Sequence, residues 1–450
     1  MTAILIRQAE MVTMNEKMEI RYGDIWIKND RIVKIGKHLL GEVEPDTKII
    51  EAEGKTVLPG FIQTHTHLCQ TLFRGQADDM ELMDWLKQRI WPLEAAHDHD
   101  SLYHSAKLGI GELIQGGTTT IMDMETVHHT DAAFEAMAET GIRALSGKVM
   151  MDIGDELPPD LLEKTDVSIA ESIRLLETWH GYDNNRIQYA FCPRFVVSCT
   201  ETLLKNVRDL SKDYDVLVHT HASENQGEVN IVEQRHGMRN VEYLDHIGLA
   251  SERLVLAHCI WLNDWEKHII REKGVKMTHC PGSNLKLASG VADVHGLHDI
   301  GAAISLGADG APCNNTMDMF QEMKLAALLP KPFHGPSAVP ALEVLKMATI
   351  QGAEALGLQH ETGSLEEGKK ADMILLDLQQ FHSYPSQTVD PISRIVYSAS
   401  AADVDTTIID GRLVMENRIM KTMDKRRVLQ DADEAVSRLV HRTAHLMQEE

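Results

Sequence analysis

The sequence predicts an α/β protein: a (β/α)8 TIM barrel joined to a composite β-sandwich domain assembled from both chain ends. Three observations predict it. Eight apolar, β-branched runs recur through the middle of the chain. Stretches with apolar residues at i, i+3 and i+4 separate most of them. Short alternating strands, broken by Gly, Asn and Asp turns, occupy both ends. Strand–helix alternation repeated this often favours a barrel over an open sheet. A chain of 450 residues suffices for a large core with a second unit.

Residues 1–56 contain the strand-like AILIR, DIWIKNDRIVKIG and KIIEAEG. Residues 361–420 contain ADMILLDL and VDTTIIDGRLVMENRI, of the same texture, and are expected to complete one small β-domain with them. Residues 57–360 hold the barrel runs VLPGFIQTHTH, GTTTIMDM, IRALSGKVMM, RIQYAFCPR, DVLVHTHASE, RLVLAHC, VKMTHCPGSN and AAISLGADG. SLYHSAKLGIGELIQ and SIAESIRLLETWH are examples of the helical spacing between them. Residues 421–450, including DKRRVLQDADEAVSRLVHRTAHLMQ, read as a terminal helix.

Hydrophobic residues make up 43% and charged residues 25%, the balance of a globular chain. The net charge of -24 argues against nucleic acid or an anionic membrane as partner, and leaves a small-molecule substrate as the expected one. No apolar run approaches the roughly 20 residues of a spanning helix. The first residues lack a secretory pattern. Cys69, Cys192, Cys199, Cys259, Cys280 and Cys313 form no CxxC pair. Reduced thiols and a cytoplasmic location are therefore expected. Pairing of copies into a homo-oligomer is left open.

Polar residues gather at the C-terminal ends of the expected strands, the catalytic face of a barrel. The first ends in His65-Thr66-His67, the fifth in His219-Thr220-His221 running on to Glu224, the sixth in His258 and the eighth in Asp309. Residues two apart on a strand share a face, so both imidazoles of a His-x-His pair can reach one ion. A single histidine of this kind is more often a hydrogen-bonded core residue. The joint placement at four strand ends favours a site. Imidazole and carboxylate ligands with an open position suit zinc or ferrous iron.

The stretches LPGFIQTHTHLCQTLFRG, HTHASEN, LAHCIWL, HCPGSNLKLASGVADV and GADGAPCNNTMDMFQEMKLAALL resemble the amidohydrolase superfamily. Within it they are most similar to the triazine-hydrolase and nucleoside-deaminase branch, over nearly the whole chain. The resemblance implies one divalent ion, zinc ahead of iron, held by His65, His67, His221 and Asp309. It implies Glu224 as proton shuttle and His258 as a hydrogen-bonding partner of the reacting water. The fourth strand ends in CPR, where relatives with two metals carry a lysine, so a single ion is expected. Water would attack the ring carbon bearing an amino group, with Asp309 taking a proton and Glu224 giving one to the neighbouring ring nitrogen.

Substrate choice is less clear. Glu94, in IWPLEAAH, matches a residue that binds ribose hydroxyls in the methylthioadenosine deaminases, while Arg194 with Gln70 is similar to the guanine deaminases. Trp85, in the first loop after a barrel strand, is a further pocket candidate, as are Cys313 and His279. A 5'-modified adenosine is expected, with guanine second and displacement on a triazine third. For Arg194 the competing reading is a structural ion pair. A non-catalytic scaffold is disfavoured because every expected ligand position carries a competent side chain. GSLEEGK has phosphate-loop spacing, but Lys370 follows it where Ser or Thr is required. HExxH, GxSxG and the PCxxC deaminase signature do not occur.

Overall fold

The computed structural model describes residues 3–154 and 156–446. Residues 1–2 of the expected amino-terminal segment and 447–450 of the expected tail lie outside the described residues. Both chain ends enter one nine-stranded sheet. Its order is Ile419–Met420, Arg412–Glu416, Val404–Ile409, Met373–Leu376, Thr56–Pro59, Ala3–Val12, Ile20–Lys28 and Arg31–Gly36, with Lys48–Glu51 also pairing the strand Ala3–Val12. A β-sandwich was expected here; the ladders form this single sheet. The strand Ala3–Val12 pairs Lys48–Glu51 through its first half and Thr56–Pro59 through its second, and its ladder with Ile20–Lys28 shifts register between Ile6 and Ala9. Ile6, Met11, Ile25, Val57, Met373 and Ile408 form an apolar cluster across it.

Two hairpin turns from opposite ends of this strand order meet. Asp410 and Gly411 take φ of 51° and 71°, the left-handed pair a tight hairpin demands. A Cβ at Gly411 would lie 1.8 Å from the Asn29 carbonyl oxygen of the neighbouring hairpin, so only glycine fits. Beside this contact, Arg143 Nε donates to Asp372 Oδ2 at 2.6 Å and Nη2 donates to Asp410 Oδ1 at 3.0 Å. Lys370 Nζ donates to the same Asp410 oxygen at 2.9 Å. These buried charges tie the mixed sheet to the strand Arg143–Gly147 of the central part.

In the central part, parallel strands alternate with helices such as His99–Gln115, Thr130–Thr140, Thr165–Trp179 and Glu201–Tyr214. The strands form a five-stranded sheet, a four-stranded sheet and the short pair Val149–Met150 with Cys192–Pro193, not one closed ring. Five stand in the order Ile187–Tyr189, Arg143–Gly147, Thr118–Met124, Phe61–His67 and Asp309–Gly310. Four follow as Val218–Ala222, Leu254–His258, Lys276–His279 and Ala303–Leu306. The expected unbroken barrel ladder is interrupted at two places for local reasons. After Tyr189 the chain meets Val218–Ala222 only through the single bridges Phe191↔Val218 and Phe195↔His221, and Pro193 between them has no N–H to give. At the other place, Gly307 packs against His65, and the strand changes partner between Leu306 and Asp309.

The terminal helix Lys425–Leu446 carries Ala432, Ala435 and Leu439 into a cluster with Leu93 and Ala96. Arg442 Nε donates to the Ala96 carbonyl at 2.8 Å. Through these contacts the chain's end backs a segment that walls the site described next. Among the described residues, no helix is long and apolar enough to cross a membrane.

Candidate metal centre and pocket

His65, His67, His221, His258, Glu224 and Asp309 meet at the C-terminal ends of the parallel strands. Asp309 Oδ1 lies 3.3 Å from both His65 Nε2 and His67 Nε2. His258 Nε2 stands 3.5 Å from Glu224 Oε2 and 3.9 Å from Asp309 Oδ2. Two overlapping triads have ligand atoms close enough for one cation: His65, His67 and Asp309, and His65, His221 and His258.

Hydrogen bonds behind the rings decide which nitrogens face inward. His67 Nδ1 donates to the Met124 carbonyl and His221 Nδ1 to the Arg194 carbonyl, each at 2.7 Å. Both acceptors are oxygens without hydrogen, so each neutral ring turns an unprotonated Nε2 forward. Those two nitrogens are 3.2 Å apart. Two lone pairs at that distance repel unless a cation lies between them. His219 Nδ1 donates to the Val255 carbonyl at 3.1 Å, leaving its Nε2 to accept from His65 Nδ1 at 2.7 Å. His65 therefore also aims a bare Nε2 at the centre, where that buried atom faces Asp309 and receives no hydrogen bond. The donor set fits a divalent ion with His65, His67, His221 and Asp309 as ligands, each oriented by a second bond in the manner usual for such sites.

Burial drives the His65 pKa down to about 4 and holds those of His219 and His221 well below the ordinary value. His258 differs. Burial lowers its pKa, yet the charges of Glu224 and Asp309 outweigh burial and raise it. Its Nδ1 is paired with Asn284 Oδ1 at 2.8 Å, so a protonated His258 would still have Nε2–H to offer. Burial raises Glu224 to about 7. For Asp309 burial acts upward, but the facing His65 holds the carboxyl well below its usual range, and Ser283 Oγ donates to its Oδ2 at 2.6 Å.

Several of these residues sit on strained backbone. Ser223, His258, Cys259 and Asp309 take φ of 53°, 71°, 51° and 64°, a region L-residues seldom enter. The turns hold one another: Cys259 N–H donates to Ala222 O at 3.1 Å, and Trp261 N–H to Ser223 O at 2.9 Å. Strain collected at strand ends that face a cleft is characteristic of functional sites.

The pocket above the centre encloses about 30 Å³. Gln70, Trp85 and Arg194 line it, with Leu82, Leu86, Phe195 and Leu287 as apolar walls. Leu82, Trp85 and Leu86 come from one rod: the helix Leu82–Trp85, the π-helical turn Leu86–Ile90 and the helix Trp91–Ala95. Pro92 lacks the N–H that would close an ordinary turn onto Gln88, which accounts for the widened one.

Glu94, the expected ribose contact, is held by two residues of the pocket lining. Arg194 Nη1 donates to its Oε2 at 2.6 Å and Nη2 to its Oε1 at 3.2 Å, and Gln70 Nε2 donates to Oε1 at 2.8 Å. Glu94 itself is not among the lining residues, and it meets the pocket through Arg194 and Gln70. Cys313 is buried and its thiol donates to the Gly310 carbonyl, and His279 is buried outside the pocket lining. The bracing roles of His219, Ser283 and Asn284 are additional to the sequence reading. The alternation of His219 with His221 puts both on one face and was the available signal for the first of them. Replacing His219 with Phe is expected to loosen His65 and weaken zinc affinity by about 10- to 100-fold, measured by competition with a chelator. Unchanged affinity would remove His219 from the support of the centre.

The amidohydrolase family profile matches residues 56–414. The 5'-deoxyadenosine deaminase of Methanothermobacter thermautotrophicus is 42% identical over 421 residues, covering 93% of this chain and 95% of that protein. The 5-methylthioadenosine/S-adenosylhomocysteine deaminase of Thermococcus onnurineus is 39% identical, covering 92% and 95%. Among solved structures, an adenosine deaminase from Xanthomonas campestris with bound zinc superposes with a TM-score of 0.91 at 31% identity, covering 98% of this chain and 99% of that one. By the extent of the family match and by these identities, the chain belongs to the amidohydrolase family.

Proposed function

We propose that this protein is a metal-dependent aminohydrolase that deaminates a 5'-modified adenosine, releasing ammonia and the inosine analogue. The observation that carries the reaction class is the placing of Glu224 and Asp309 on either side of His258, beside histidines whose Nε2 atoms converge without protons. The names of the relatives at 42% and 39% identity support the substrate class. A single ion, zinc ahead of iron, held by His65, His67, His221 and Asp309, belongs to the same proposal. So does the (β/α)8 barrel over residues 57–360, with 1–56 and 361–420 as the small β-domain, followed by the terminal helix that begins at Lys425. A cytoplasmic setting suits the six buried free thiols.

A divalent ion, when bound, supplies the Lewis acidity that makes water a nucleophile near neutral pH. The chain's own groups do the proton work. Asp309, held ionised, accepts a proton from the attacking water as its oxygen bonds to the ring carbon. Glu224, whose pKa near 7 leaves a proton available, gives it to the adjacent ring nitrogen. His258 donates from Nε2 to the new oxygen and steadies the tetrahedral carbon. The proton collected by Asp309 passes to the amine, the C–N bond breaks and ammonia leaves, while the remaining hydroxyl proton returns to Glu224 and the ring carbonyl forms.

Guanine is the second reading, favoured by one observation: Gln70 and Arg194, the pair similar to guanine deaminases, line the pocket. Ammonia release by the zinc-loaded protein from 5'-deoxyadenosine, methylthioadenosine, S-adenosylhomocysteine, adenosine and guanine separates the two. Fast release from the 5'-modified adenosines is the expected result. Release from guanine alone would replace it with the second reading, and silence on all five would overturn both.

A further inference from the structure

Glu228 lies one turn into the helix Gln226–His236 and is almost fully buried. Its Oε2 accepts from the Glu224 backbone N–H at 2.8 Å. Its Oε1 accepts from the Asn240 side-chain amide. Ser223, the residue before Glu224, takes a left-handed φ of 53°. Asn225 caps the helix by accepting from Gly227 N–H at 2.7 Å, so Glu228 occupies the third helical position. A glutamate there commonly reaches back to the capping residue, as part of an ordinary capping box. Here it reaches one residue further, to the amide of Glu224. The same turn is hooked to the turn after His258 through Ser223 O, which accepts from Ile260 N–H at 3.0 Å and Trp261 N–H at 2.9 Å.

We propose that Glu228 is a positioning residue: its buried carboxylate, bound to the Glu224 amide and braced by Asn240, fixes the reach of Glu224 toward His258. The inference rests on the reading of Glu224 as proton carrier. Glu228 touches no substrate and acts through Glu224 alone.

Two substitutions separate holding from charge. Glu228→Gln keeps an oxygen for the Glu224 amide. Its new NH2 can donate to Asn240 Oδ1, a buried atom that otherwise has no partner. Glu228→Ala keeps neither bond. With zinc-loaded protein and 5'-deoxyadenosine, E228A should lower kcat by about 100-fold with KM within about twofold, the scale of a small misplacement of a reacting group. E228Q should recover most of that loss. In a Glu224→Gln background, E228A should cost no more than about twofold further, because two residues that act as one are not additive. If E228A does not fold, Asn240→Ala, which removes the brace of the same carboxylate, carries the comparison. Independent, multiplying losses would overturn the inference alone, as would an E228Q as poor as E228A. A Glu224→Gln variant that keeps most of its turnover would overturn the proton-carrier reading and this inference with it.

Discussion

Glu224→Gln is expected to lower kcat by roughly 10²- to 10⁴-fold, the usual worth of a positioned proton carrier, while zinc content per chain stays unchanged. Glutamine has nearly the same shape, and the backbone amide that Glu228 holds is untouched by the change. What disappears is the titrating proton. The parent should lose kcat/KM as pH rises through about 7, where Glu224 gives up the proton it must donate. Ammonia release at saturating 5'-deoxyadenosine, with metal analysis on the same samples, checks the first point. A variant retaining a tenth or more of parental kcat would end the assignment.

The second large effect concerns stability. Arg194→Met is expected to cost about 3–5 kcal/mol, because it leaves the Glu94 carboxylate buried with Gln70 as its remaining partner. Arg194 and Glu94 are 3% and 2% exposed, so water cannot take over the lost bonds. Adding Glu94→Gln to the same chain removes the stranded charge and should recover much of the loss. Urea denaturation of the two variants beside the parent makes the comparison. Equal midpoints for parent and R194M would show that the pair carries no such energy. A raised KM in R194M alone therefore does not separate substrate binding from this pairing; Glu94 must be changed alongside it.

The gathering of His65, His67, His221 and Asp309 was legible because strand alternation is a local rule. His65 and His67, or His219 and His221, share a face whatever the rest of the chain does. Separate runs ending in histidine or aspartate then converge once the strands lie parallel. The Glu94–Arg194 bond was not legible, since it joins residues 100 positions apart and either side chain alone reads as a pocket group. Each reading caught half of Arg194: it lines the pocket and it is ion-paired. The alternation of the two chain ends announced strands, but alternation cannot say whether strands make one sheet or two. Pro193 was visible in the sequence, and its missing N–H is part of why the ladder breaks there. The rod of residues 82–95 has too little periodicity to stand out, and its π-helical turn follows from Pro92 only once the backbone is seen.

The rod of residues 82–95 lends three walls of the pocket, Leu82, Trp85 and Leu86, from one short stretch that holds none of the converging histidines. Changes along that stretch would reshape the room for a substrate while the histidines at the strand ends keep their own hydrogen bonds. Preference for one purine over another can drift through this single segment, with the chemistry at the strand ends left as it is.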